Sequence, residues 1–185
     1  MKLTERILDL SQLVLSSEQT QVRSGGIHVS SVIRHISKQI GRQKENTFTE
    51  ADLDKFALVG RLWEAQLAAA MFQPPRYERI GEIEKDGIIG SPDAIDTVDW
   101  AVMEFKVTWK SAKRDIAEFH NYWRQIKAYC AMVGCVRAKL AVFYVCGNYS
   151  PPVPIAREYS VIFTPAELND NWAMLQREAQ ALSQA

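Results

Sequence analysis

Cysteine is scarce in this 185-residue chain, which has only Cys130, Cys135 and Cys146. An odd, sparse set does not make a disulfide framework. It also falls short of the four thiolates that an iron–sulfur cluster or a structural zinc needs. The three read as small buried hydrophobes of a reduced, cytoplasmic protein. A surplus of one charge sign is missing too: 22 Lys and Arg stand against 22 Asp and Glu. Bulk charge therefore names no polyanionic partner, although a local basic stripe can still bind one. No run approaches the ~20 apolar residues of a membrane span. The opening MKLTERILDL interleaves charges with its apolar residues and has no signal-peptide core. Repeats and low-complexity tracts are also absent.

What is present suffices for a core: 47% of residues are apolar, and one domain over 1–185 is expected. Leu3, Ile7, Leu10 and Val14 have helical spacing and predict a helix over 3–16. After Ser24-Gly25-Gly26, Ser30 is the expected N-cap of a helix carrying Val32, Ile33, Ile36 and Ile40 and stopped by Gly41. Thr49 with Asp52 predicts a capping box opening a long helix to about Phe72, before Pro74-Pro75. Three strands should follow: Tyr77–Glu84, a Lys85-Asp86-Gly87 turn, Ile88–Asp96 and Trp100–Thr108. A helix over about Lys113–Val133 should bury Ile116, Phe119, Trp123, Ile126, Cys130 and Val133 and end at Gly134. Strands at Lys139–Cys146 and Tyr159–Phe163 and a helix from Thr164-Pro165-Ala166-Glu167 to about Leu182 complete the chain. Pro151, Pro152 and Pro154 mark a loop. This order predicts an α/β (α+β) fold, a mixed central sheet flanked by helices. N-terminal helices (about 1–72) would pack on a core (about 60–164), with a C-terminal helix over about 165–182.

Chemistry concentrates in Gly90–Lys106. Asp93 follows Pro92, and eleven residues later Glu104-Phe105-Lys106 sits on an alternating strand. Val102, Glu104, Lys106 and Thr108 share one face, and Ala101, Met103, Phe105 and Val107 the other. Neighbouring strands would bring Asp93, Glu104 and Lys106 to one point. Two carboxylates that close repel unless a cation lies between them. Mg²⁺, with Mn²⁺ able to substitute, needs few protein oxygens and keeps waters. Asp93, Glu104 and the Phe105 backbone carbonyl are the candidate ligands. Such a site activates water against a phosphodiester. Lys106 would either stabilise charge on the phosphorane or orient the attacking water.

These motifs resemble the signature of the PD-(D/E)XK nuclease superfamily, whose core is restriction-endonuclease-like. Gln125-Ile126-Lys127-Ala128-Tyr129 is similar to the Gln-x-x-x-Tyr of its RecB-type branch, which includes lambda-exonuclease-like and YqaJ-like nucleases. Gly60-Arg61-Leu62-Trp63-Glu64 resembles the helical motif placing Glu or His near the metal; Glu here is closer to the YqaJ-like version. The iron–sulfur cysteines of some members are absent. The resemblance implies a metal-dependent DNA exonuclease of phage or mobile-element recombination or replication type, acting in the host cytoplasm if phage-encoded. It implies Glu64 near the metal, Gln125 at the water or phosphate, and Tyr129 on the DNA backbone. Ring-forming relatives leave a homo-oligomer open, as well as a recombination or replication partner protein. The rival readings are a structure-selective endonuclease and a non-cleaving nucleic-acid-binding module of the same fold.

Lys110, Lys113 and Arg114 follow the site strand. At the next helix's N-terminus they could bind flanking phosphates; a solvated charge run explains them equally. Trp109 is either a base-stacking surface or core. His28 reads as structural, and His35 and His120 have weaker claims.

Overall fold

The computed structural model describes residues 2–8, 24–40, 74–145 and 154–184, with Gly60, Trp63, Glu64, Gln66, Leu67, Ala70 and Met71 between them. Its centre is a mixed six-stranded sheet of β1 (Lys2–Leu8), β9 (Ile155–Ile162), β8 (Arg137–Tyr144), β7 (Ala101–Thr108), β6 (Ala94–Asp96) and β3 (Tyr77–Glu78), in that order. Only the β7–β8 pair is parallel, joined through the helix α2 (His120–Val133); the other neighbours run antiparallel. A second sheet holds β2 (Ile27–His28), β5 (Ile88–Gly90) and β4 (Ile83–Lys85). The α/β class expected from the element order is the observed one.

Period-two alternation sorts the core into two layers. Val102 of β7, Leu140, Val142 and Tyr144 of β8, and Tyr159 and Val161 of β9 face one side. There they meet α1 (Val29–Gln39), α2 and α3 (Pro165–Ser183) through Val32, Ile36, Trp123, Ile126, Trp172 and Leu175. Met103, Phe105, Val107 and Ala141 face the other side, against Leu67 and Met71. The strand β7 is thus buried on both faces.

Several elements depart from expectation. Residues 2–8 form a strand, not a helix, paired along its length with β9. The open edge of β9 satisfies seven residues of backbone, and cross-strand pairing of Arg6 with Glu158 (2.9 Å) and of Glu5 with Arg157 (3.2 Å) adds to it. Local helical spacing loses to that edge. The remainder of the expected 3–16 helix, the Thr49–Asp52 capping box and Pro151-Pro152 lie outside the described residues. The N-cap position of α1 is His28, not Ser30. Each of the first two predicted strands is split: β3 and β6 pair in the large sheet, while β4 and β5 make a hairpin in the small one. Its two-residue turn, Asp86-Gly87, has φ of 52° and 76°, the positive pair a type I′ turn requires. The expected helix from Lys113 is broken too: a short 3-10 turn (Ile116–Glu118) precedes α2. Gly134, left-handed at φ 79°, ends α2 as predicted, and a Thr164/Glu167 capping box with Pro165 opens α3.

Candidate active site

Among the described residues, half of one edge of β7 has no strand partner, and the site is built there. The three residues of β6 pair with Ala101–Met103 and go no further. Beyond them side chains replace the strand. Asp93 Oδ2 accepts from the Phe105 amide at 2.7 Å, and Glu64 Oε1 accepts from the Val107 amide at 3.1 Å. Asp93 therefore sits in a bend just before β6, not within a strand as expected. In an extended strand the N–H and C=O of one residue face the same edge. The Phe105 carbonyl accordingly faces the edge held by Asp93 and Glu64.

Glu104 and Lys106 project from the helix-facing side of β7, with Lys106 Nζ 2.5 Å from Glu104 Oε1. Glu104 is only 2% exposed, and its Oε2 is buried with no hydrogen-bond partner. Burial pushes the Glu104 carboxyl up to about 8, with Lys106 opposing and the charges of Asp93 and Glu64 adding. Burial likewise lifts Asp93 to about 6, against Lys106 and the Phe105 amide, with Glu64 adding. Burial works against the Lys106 ammonium, but Glu104, Glu64 and Asp93 outweigh it and hold its pKa well above the usual lysine value. Glu64, Asp93, Glu104 and Lys106 thus act on one another electrostatically.

The donor set suits a divalent cation of low protein coordination. A buried carboxylate oxygen without a donor, beside two further carboxylates, is an arrangement that a cation would compensate. Among the described residues no three His, Cys, Asp or Glu side chains are gathered closely enough to cage a metal alone. The candidates are Asp93, Glu104 and the Phe105 carbonyl, with Glu64 close by. That leaves room for waters, as Mg²⁺ prefers.

Opposite β7, α2 presents Tyr122, Gln125 and Tyr129. Tyr129 is buried at 4% exposure, and its hydroxyl accepts from Gln125 Nε2 at 2.8 Å. Its hydroxyl pKa is raised, by burial first and then by Glu104. Tyr129 therefore lies inside the cluster, not on an open rim, and Gln125 reaches it from one turn earlier. Gly90 makes the seat: a Cβ there would lie 2.9 Å from Tyr129 Cε1 and 2.6 Å from Met132 Sδ. At Gly60, by contrast, a Cβ would meet nothing within 4 Å. No close packing at that position therefore calls for a glycine. Sequence reading missed Tyr122, whose hydroxyl is within electrostatic reach of Thr108, Lys106 and Glu64. Its spacing from Gln125 and Tyr129, i, i+3 and i+7 on one helix, was the available signal.

Lys110, Lys113 and Arg114 do not occupy a helix N-terminus. They lie in the segment before the 3-10 turn, whose Ala117 amide is taken by the Asp115 side chain at 2.9 Å. Lys110 and Arg114 both sit over the Phe119 ring, at 4.9 and 5.5 Å, and Arg114 also pairs with Glu118 at 2.6 Å. Lys113 is exposed, its amide bonded to Ser111 Oγ at 3.2 Å. Trp109 is 44% exposed and so is not core. His28 Nε2 lies 2.9 Å from the Ser24 carbonyl, a local tie at the start of α1. His35 faces Glu178 at 3.7 Å. Cys130 and Cys135 are free and buried, as expected; Cys146 lies outside the described residues.

No protein-family model matches this sequence, and no curated protein is significantly similar to it. Among solved structures, SSO0001 is similar over 88% of this chain and 79% of its own, with a TM-score of 0.54 and 16% identity. A phage-related exonuclease from Haemophilus somnus 129PT aligns over 82% of this chain and 79% of its own, at TM-score 0.46 and 13% identity. An alkaline exonuclease, LHK-Exo, from Laribacter hongkongensis aligns over 86% and 92%, at 0.42 and 16%. The last two likenesses are too loose to carry an argument. The first shows a shared fold: the mixed sheet with its flanking helices is an architecture this chain has in common with SSO0001.

Proposed function

We propose that this protein is a metal-dependent DNA nuclease of the PD-(D/E)XK kind, most similar to RecB-type exonucleases. One observation carries the reading: a buried Glu104 oxygen without a partner lies beside Lys106, with the Asp93 and Glu64 carboxylates on the open edge of the same strand. A structural ion pair would have satisfied that oxygen. A site that receives a cation and a phosphate would not.

Asp93, Glu104 and the Phe105 carbonyl would hold Mg²⁺ or Mn²⁺, with Glu64 near enough to contact a metal-bound water. The ion, when bound, supplies Lewis-acid stabilisation and a water of lowered pKa. Lys106 keeps its ammonium charged beside the acids and aims it at a phosphate oxygen. Gln125 and Tyr129 hold the water or the phosphate by hydrogen bonds, since neither side chain can supply charge. Lys110, Lys113 and Arg114 meet the flanking DNA backbone.

The test is incubation with linear and circular, single- and double-stranded DNA, in Mg²⁺, in Mn²⁺ and in chelator. Cleavage only with metal, abolished in Asp93→Asn, Glu104→Gln and Lys106→Ala, is expected. Full activity of Glu104→Gln or in excess chelator would refute the proposal. Nicking of circular DNA would favour an endonuclease, and binding without cutting a non-cleaving module.

A further inference from the structure

The face of α2 that meets β7 extends beyond the cluster. Tyr122 stands two turns before Tyr129, opposite Thr108, as Tyr129 stands opposite Glu104 and Lys106. Thr108 lies between the two: its Oγ1 accepts the Lys110 amide at 3.2 Å, and the Tyr122 hydroxyl is within its electrostatic reach. The Tyr122 ring lies 5.2 Å from that of Phe119, whose face carries both Lys110 Nζ and the Arg114 guanidinium. Two cations over one ring repel each other. Burial and Arg114 together depress the Lys110 pKa. An anion seated between hydroxyl and ammonium would relieve that repulsion. From Lys106 to Thr108 the strand advances about 7 Å, of the order of one nucleotide step along an extended backbone.

We propose that Tyr122, Thr108 and Lys110 form a subsite for the backbone phosphate adjacent to the one that is cut, so that the strand leaves the acid cluster along the C-terminal end of β7. This rests on the nuclease reading and adds a direction and two residues to it. The Tyr122 hydroxyl and the Lys110 ammonium donate to the phosphate, and Thr108 positions both. No covalent step is involved.

The test uses the full chain, with Tyr122→Phe and Lys110→Met as variants, both checked for an unchanged melting temperature. Tyr122→Phe keeps the ring against Phe119 and removes only the donor. Its KM for DNA should rise about tenfold, with kcat within about twofold, as expected for one lost hydrogen bond to a charged group. Lys110→Met should raise KM and lower the slope of log KM against log salt by about one. A single methylphosphonate at the phosphate next to the scissile bond should slow the wild type and make no difference to Tyr122→Phe. An actively cleaving wild type whose two variants keep its KM and its methylphosphonate profile overturns the subsite and leaves the nuclease standing. Should the wild type bind DNA but cut nothing, the nuclease reading falls. Fluorescence anisotropy with the same methylphosphonate oligonucleotides then decides the subsite. No affinity for DNA overturns both.

Discussion

Asp93 and Asp96 stand three residues apart in opposite environments. Asp96 is fully buried but meets Arg76 Nη2 and Lys139 Nζ, each at 2.8 Å. Burial alone would raise it; hydrogen bonds from Arg76 and Lys139 outweigh that and bring it well below the usual carboxylate range. It also accepts the Val98 and Asp99 amides, and Lys139 reaches Asp99 as well. That is a lock on the turn between β6 and β7. A depressed native pKa contributes stability that is present above the unfolded value, ~3.9, and is lost as pH falls through the native one. Asp96→Asn should cost at least about 2 kcal/mol, because it strands two cations. Urea titration at neutral pH would measure the loss, and the gap from wild type should narrow in acid.

Asp93 and Glu104 have the opposite sign. Their native pKa values, about 6 and about 8, lie above the unfolded ones. Their contribution is fully present below the unfolded values and is lost as pH rises through the native ones. In chelator the protein should therefore lose stability between about pH 5 and pH 8. Glu104→Gln, which keeps the shape and cannot ionise, should lose less stability than wild type between about pH 5 and pH 8.5, while its nuclease turnover falls by at least about a hundredfold. Thermal denaturation in chelator across that range checks the sign. A fall in melting temperature across that range as large in the variant as in wild type would contradict it.

At the scale of elements, the site depends on how one strand ends and how one helix is seated. The shortness of β6 exposes the amides that Asp93 and Glu64 occupy. Absence of a side chain at Gly90 lets Tyr129 lie against β5. Gly90→Ala should displace Tyr129 and Met132, cost about 1–3 kcal/mol and reduce turnover more than metal affinity, read by calorimetric Mn²⁺ titration beside the DNA assay. The cap of α3 is remote from this chemistry. Thr164→Ala removes the hydroxyl that accepts the Glu167 amide, leaves the Thr164 amide bonded to the Glu167 carboxylate, and should cost about 1 kcal/mol with turnover unchanged, measured by chemical denaturation.

At the scale of the molecule, stability and chemistry lie on separable parts of the sheet. Leu175 of α3 is fully buried in the helix-side core. Leu175→Ala should lower stability by about 3 kcal/mol, a fall in Tm of about 6–12 °C for a chain of this size, with kcat preserved below the transition. A proportionate loss of kcat in the folded variant would show that the core and the site are one unit.

Much of this was legible in the residues themselves. Alternation in Ala101–Thr108 placed Glu104 and Lys106 on one face, because a strand's side chains can point only two ways. Strong stop and start signals, Asp86-Gly87, Gly134 and Thr164-Pro165, gave their boundaries because backbone conformation there is a local matter. What the sequence could not decide depended on partners far along the chain. Lys2–Leu8 became a strand because β9 offered an edge 150 residues away, and no local propensity records that. Asp93 left its strand to cap an amide of β7, and Tyr129 turned inward because Gly90, on a different sheet, made room. Helical spacing could name Tyr122, but only its meeting with Thr108 across the layer gave it something to do. Local conformation is written in neighbouring residues; the pairing of edges and the burial of charge are decided only when distant segments meet.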